Sequence, residues 1–137
     1  MFMEDNRKAV YVLKEIKSRP KMVAELKRRA DVEMPPDVER AFNEHYDKVH
    51  LPLMAKVPGT VEIRRYKAAS GTYAGTPMEG DKYIIEYVFA SEDIMEQALT
   101  SPERKEALKD HILFDYLKKY FINTRTLYIP VHSISKE

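Results

Sequence analysis

The sequence predicts a single α+β domain on the ferredoxin-like βαββαβ plan, with a four-stranded antiparallel sheet and helices on one face. Three observations carry that prediction. The chain has 137 residues, a length suited to one hydrophobic core, and shows no internal repeat or long linker that would divide it. Apolar residues recur at helical spacing after Pro35-Pro36 and again after Pro102, whereas 60–69, 83–89 and 126–134 have strand character. With an opening strand upstream of Pro35, the order becomes β, α, β, then β, α, β.

The opening strand is the hardest element to place. Residues 22–29 read either as a strand, with Met22, Ala24 and Leu26 on one face, or as a helix entered through Pro20; residues 9–16 are equally ambiguous. The reading adopted puts the strand at 22–29 and treats about 1–20 as an N-terminal extension, helical near 6–18. About 21–137 then form the domain.

The first core helix follows Pro35-Pro36 to about residue 49. Val38, Phe42, Tyr46, Val49 and Leu53 recur every three or four residues and make one apolar stripe, which Pro52 should end or kink. Pro58-Gly59 marks a turn, after which Val61 and Ile63 alternate with Glu62 and Arg64 as in a half-exposed strand. The glycine-containing stretch 70–81 is a loop. Residues 83–89 form the strongest strand, with Tyr83, Ile85, Tyr87 and Phe89 on one face and Ile84, Glu86 and Val88 on the other. Ser91 is an N-cap followed by Glu92 and Asp93, which suit a helix N-terminus. Thr100-Ser101-Pro102-Glu103 opens a second helix that runs through Leu108, Leu113 and Leu117 and stops near Asn123. The final strand, 126–134, places Leu127, Ile129 and Val131 opposite Tyr128 and His132. Apolar side chains also fall on the sheet face that no helix covers. A second copy of the chain would bury that face, so a homodimer is expected.

Composition narrows the function. Twenty-three basic and 22 acidic side chains leave a formal charge of +1, without the basic excess of a dedicated nucleic-acid binder. With no cysteine, there is no disulfide framework, thiolate nucleophile or Cys-based zinc site. No apolar run is long enough to span a bilayer and the N-terminus lacks a signal-peptide design, so a cytoplasmic protein without membrane contact is expected.

The segment Ala41-Phe42-Asn43-Glu44-His45-Tyr46-Asp47-Lys48-Val49-His50-Leu51-Pro52-Leu53, with Val57-Pro58-Gly59 after it, resembles the pattern of EthD-like proteins. In that family a helix carries an aromatic, then Tyr, then His-x-Pro-Leu, and a Pro-Gly turn leads into a strand. Ile85-Glu86-Tyr87-Val88-Phe89-Ala90-Ser91 and Ala98-Leu99-Thr100-Ser101-Pro102-Glu103 resemble its next strand and helix entry. The resemblance spans about 36–103 and implies the dimeric α/β-barrel superfamily. Its members include cofactorless monooxygenases, lactone isomerases, polyketide cyclases and proteins of unassigned role, and fold alone does not choose among them. The ends depart from the pattern, with extra N-terminal residues and a longer helix after Glu103.

His50 matches the family's histidine and lies one turn after Tyr46 and two after Phe42, so it is the first candidate for acid–base chemistry. The alternative is a helix-terminal histidine that serves the C-terminal dipole. Glu86, in mid-strand among apolar neighbours, is either a second acid–base group or a carboxylate paired with Arg64 or Arg65. Tyr46, Tyr66, Tyr83, Tyr87 and Tyr128 could offer hydroxyls to a pocket, Tyr46 and Tyr66 being the preferred pair, although most tyrosines serve as core aromatics. The catalytic set is therefore His50, Tyr46 and Glu86, with Phe42, Tyr66, Tyr87 and Tyr128 binding substrate. His45, His111 and His132 lack metal-ligand spacing, and the glycines at 71, 75 and 80 match no phosphate loop, so neither metal nor cofactor is expected. These readings lead to a cofactor-independent enzyme, an isomerase, cyclase or monooxygenase acting on a small, partly apolar molecule. The alternative is a binding or accessory protein that uses the same pocket without turnover.

Overall fold

The computed structural model describes residues 2–4, 11–18, 34–70, 72–77, 82–132 and 134–136. The sheet at its centre joins β3 (Thr60–Lys67), β6 (Tyr83–Phe89), β2 (Tyr11–Ser18) and β7 (Ile122–Tyr128) in that order, every pair antiparallel. Two short pairs lie apart from it: β1 (Phe2–Glu4) with β8 (Ile134–Lys136), and β4 (Thr72–Tyr73) with β5 (Thr76–Pro77). The result is a ferredoxin-like α+β fold. No helix among the described residues is long and apolar enough to cross a membrane.

The opening strand is β2, at 11–18, where the sequence suggested the end of an added helix. Its own residues read equally as helix or strand. However, the segment is flanked on both sides by strands, and a central strand draws its stability from two ladders whatever its own propensity. Residues 22–29, the preferred strand, lie outside the described residues, as does the 6–10 part of the suggested helix.

In β6 the alternation survives as structure except at Val88, which is buried on the other face. Tyr83, Ile85, Tyr87 and Phe89 are buried on one face, with Leu13 of β2 opposite Tyr87. Against this face pack the helices: α1 (Pro36–His45), a π-helical turn (Tyr46–His50) that continues it, α2 (Leu51–Met54), α3 (Glu92–Leu99), α4 (Pro102–Ala107) and α5 (His111–Tyr120). Phe42, Tyr46, Met95, Ala98, Ala107, Leu113 and Leu117 complete the core. Ser91 caps as the sequence suggests and Ser101 caps the next helix, one residue after the Thr100 of the capping-box pattern; they accept from the N–H groups of Ile94 and Arg104 at 3.2 Å each. What the sequence read as one helix after Pro102 is two, because Asp110 stops the first and caps the second, accepting from the Leu113 N–H at 3.3 Å. The last strand likewise starts four residues earlier than expected and ends at Tyr128.

The π turn is the feature with most bearing on the site. Pro52 has no N–H to donate to the carbonyl four residues back, and its ring crowds that carbonyl. A turn widened by one residue just upstream accommodates it, with the Leu51 N–H reaching Tyr46, five residues back. Gly59, in the turn before β3, has φ +85 and lies where any Cβ would collide with Cγ2 of Ile94. Only glycine suits that position on both counts.

Candidate functional site

A cavity of about 580 Å³ opens between the helices and the sheet. Its floor includes Leu13, Glu15, Tyr87 and Phe89 from the two central strands. Tyr46, His50 and Met54 line one wall, and Leu113, Phe114 and Leu117 of α5 another. Apolar side chains with a few polar groups among them are the usual make-up of a small-molecule site.

His50 is 4% exposed and sits at the end of the π turn. Its Nδ1 faces Asp110 Oδ2 at 3.2 Å, while His45 Nε2 meets both oxygens of the same carboxylate at 2.7 and 2.9 Å. Two histidines five positions apart would diverge on a regular α-helix, and the widened turn between them brings both to one carboxylate. Their nitrogens point at the carboxylate itself, so the trio is a hydrogen-bonded chain. Among the described residues no three His, Cys, Asp or Glu side chains are grouped to hold a metal ion. The imidazole is clamped edge-on between Tyr46 (ring centres 5.4 Å apart) and Phe114 (6.1 Å).

Burial holds His50 below its ordinary value, against the opposing pull of Asp110. The resting imidazole is therefore neutral at pH 7. With Nδ1 committed to Asp110, Nε2 is the nitrogen left to take a proton. Burial alone would raise Asp110, yet the hydrogen bonds from His45 and the Leu113 N–H hold it below the usual carboxylate range. Tyr46 and Tyr87 interact through their hydroxyls, and burial pushes both well above the ordinary phenol value. They are donors here, not bases. Arg65 lies 4.3 Å over the Tyr46 ring while donating to Asp47 at 2.7 Å, which fixes Tyr46 from behind.

The structure thus brings His50, Tyr46 and Tyr87 together and leaves the other candidates apart. Phe42 is completely buried among Tyr46, Tyr83, Tyr116 and Phe121 and does not reach the cavity. Glu86 points to the opposite face of the sheet, away from this cavity, and has Arg64 at 3.8 Å as a cross-strand ion-pair partner. Tyr66 and Tyr128 share that opposite face, at 45% and 46% exposed. The period of two in a strand decides this: neighbours of an inward residue point outward.

The charged residues of the cavity and site that were not picked out from the sequence include Asp110, Glu15, Arg104 and Arg125. Asp110 carried a readable signal, an N-cap residue just before the apolar Ile112-Leu113. Glu15 and Arg125 were hidden by the displaced first and last strands. They form an ion pair at 2.9 Å beside the cavity.

Residues 35–114 match the family model described as the EthD domain. No curated protein matches the chain. Among solved structures, an EthD family protein from Bacillus halodurans is 20% identical, with a TM-score of 0.59 over 89% of this chain and 99% of its own. SnoaB, a cofactor-independent oxygenase from Streptomyces nogalater, is 11% identical, with a TM-score of 0.52 over 89% and 93%. A dimeric ferredoxin-like protein of unknown function from Thermobifida fusca is 12% identical, with a TM-score of 0.50 over 90% and 93%.

Proposed function

Because the chain belongs to the EthD domain family, we propose that it is a cofactor-independent enzyme that moves a proton on a small, partly apolar substrate. The observation that carries this reading is the His50–Asp110 pair at the wall of an apolar cavity. The carboxylate fixes the tautomer, with the proton on Nδ1, and stabilises the imidazolium formed when Nε2 takes a proton from substrate. The Tyr87 hydroxyl, which accepts from Tyr46 and keeps its own proton, would then steady the developing oxyanion, as preorganised donors do best in a water-poor site. Proton abstraction beside a carbonyl and lactone isomerisation both need no more than this. The oxygenase among the similar folds shows that the same architecture also serves oxidation without a cofactor.

Solvent-deuterium incorporation tests it. Aryl ketones and γ-lactones incubated with protein in D2O should gain deuterium at the carbon beside the carbonyl, as read by mass spectrometry. His50→Gln should lower that rate about 10²- to 10⁴-fold, the usual contribution of a positioned acid–base group, with little change in affinity. Exchange that persists in His50→Gln would remove histidine from the chemistry. Ligand binding without any exchange in the native protein would favour the binding-protein reading.

The assembly is read as a homodimer in which four antiparallel strands from each copy meet as a dimeric α/β barrel. Tyr66 and Tyr128 stand half exposed on the face without helices, and the Thermobifida fusca protein of this fold is dimeric. Sedimentation velocity should give a mass twice that of the chain, and a monomer would refute the barrel.

A further inference from the structure

Resting on the reading of the cavity as a substrate site, we propose that it selects organic monoanions, a carboxylate head on an apolar body, with Arg104 as the residue that binds the head. The charged groups lining the cavity are Glu15, His50, Arg104, Lys118 and Arg125. Glu15 is the one carboxylate among them, and it lies at ion-pair distance from Arg125, at 2.9 Å. Arg104 has no carboxylate at that distance among the described residues. Its Nη1 donates to the Leu99 carbonyl at 3.1 Å, which anchors one edge of the guanidinium and leaves the rest of the fork to the cavity.

Glu15 attracts Arg104 only from beyond contact distance, and a half-buried guanidinium with no carboxylate in contact is costly, the more so with a second guanidinium nearby. Burial first, and then the charge of Arg125, pull Arg104 below its ordinary value against the opposing pull of Glu15 and Tyr87. The planar fork suits a carboxylate, which accepts two parallel hydrogen bonds from it. One guanidinium with no carboxylate in contact suits a ligand that carries one carboxylate. The apolar body would lie against Met54, Phe89, Leu108, Leu113 and Phe114, all of which border the same cavity as His50. An acid held at Arg104 is thereby oriented toward the base, which is how a binding charge becomes a device for specificity.

The test uses two ligands with one body, 1-naphthylacetate and its neutral amide, 1-naphthylacetamide, titrated calorimetrically into the full chain. The native protein should bind the acid at least about tenfold more tightly than the amide, the least expected of a charge-assisted pair. Arg104→Gln should bring the acid down to the amide's affinity and leave the amide unchanged, while Arg104→Lys should keep most of the preference. Equal affinities in the native protein, or a preference that survives Arg104→Gln, would overturn the anion assignment and leave the cavity as a small-molecule site. Binding of neither ligand would overturn the cavity reading as well. The comparison of acid with amide on native protein stands even where a variant fails to fold.

Discussion

Cutting Phe42 back to alanine is expected to cost about 3–5 kcal/mol of folding stability, at the upper end for a single substitution. The ring is fully buried, with the rings of Tyr46, Tyr83 and Tyr116 edge-on at 5.6 Å and Phe121 tilted at 5.3 Å. Removing it loses its transfer energy and leaves a void, because the four surrounding aromatics come from the π turn, β6, α5 and the chain after α5 and cannot all close in. Such domains hold about 5–15 kcal/mol in total, so the variant should be marginal at room temperature. Phe42→Leu, which fills much of the volume, should lose less than half as much. Urea denaturation reads both. A loss below about 1 kcal/mol for Phe42→Ala would mean that the aromatic cluster is not the keystone described above.

The second large effect is expected at Asp110. Alanine there removes the cap of α5, worth about 1 kcal/mol, together with the carboxylate that both histidines share. The losses are not independent, and about 3 kcal/mol in all is expected at pH 7.5. Asp110→Asn keeps a capping oxygen and an amide able to hydrogen-bond a histidine, and should lose less than alanine. The pH dependence supplies a further signature. His50 has a depressed value in the folded state, so the unfolded chain binds more protons and stability falls as pH drops below 6.5, the ordinary value of the imidazole. Asp110 is depressed too, so its contribution is present above pH 3.8 and is lost as pH falls through its lower folded value. Asp110 opposes the downward shift of His50. Its removal should therefore deepen the loss between pH 6.5 and 5 and erase the branch below pH 3.8. A variant that parallels the native curve across this range would refute the coupling between Asp110 and His50.

Much of the architecture can be read from side-chain periodicity, because most of these elements bury one face. The stripe through Val38, Phe42 and Tyr46, the alternation along 83–89 and the caps at Ser91 and Ser101 all follow from local chemistry, and local chemistry is what a sequence displays. The elements that escaped reading owe their state to distant partners. Tyr11–Ser18 is a strand because β6 and β7 hold it on both sides, and nothing in its alternating charges announces that. The site followed the same division. His50, Tyr46 and Tyr87 were legible, the first two on a helix face and the third on the inward face of a strand. Glu86 was read on the face opposite Phe89, where it lies, but which of the two apolar faces holds the cavity requires knowing where the helices lie. Asp110 lay 60 residues from His50 and joins it only through the packing of α5.

The widened turn at Tyr46–His50 makes the site a matter of helical phase as much as of side-chain identity. A regular α-helix advances about 100° per residue. Closing that turn by a single residue would swing His50 and all of α2 round the axis by roughly this angle, away from Asp110 and the cavity. Insertions and deletions between 45 and 51 therefore act on the site as rotations. The length of this segment constrains the chemistry even where its side chains do not.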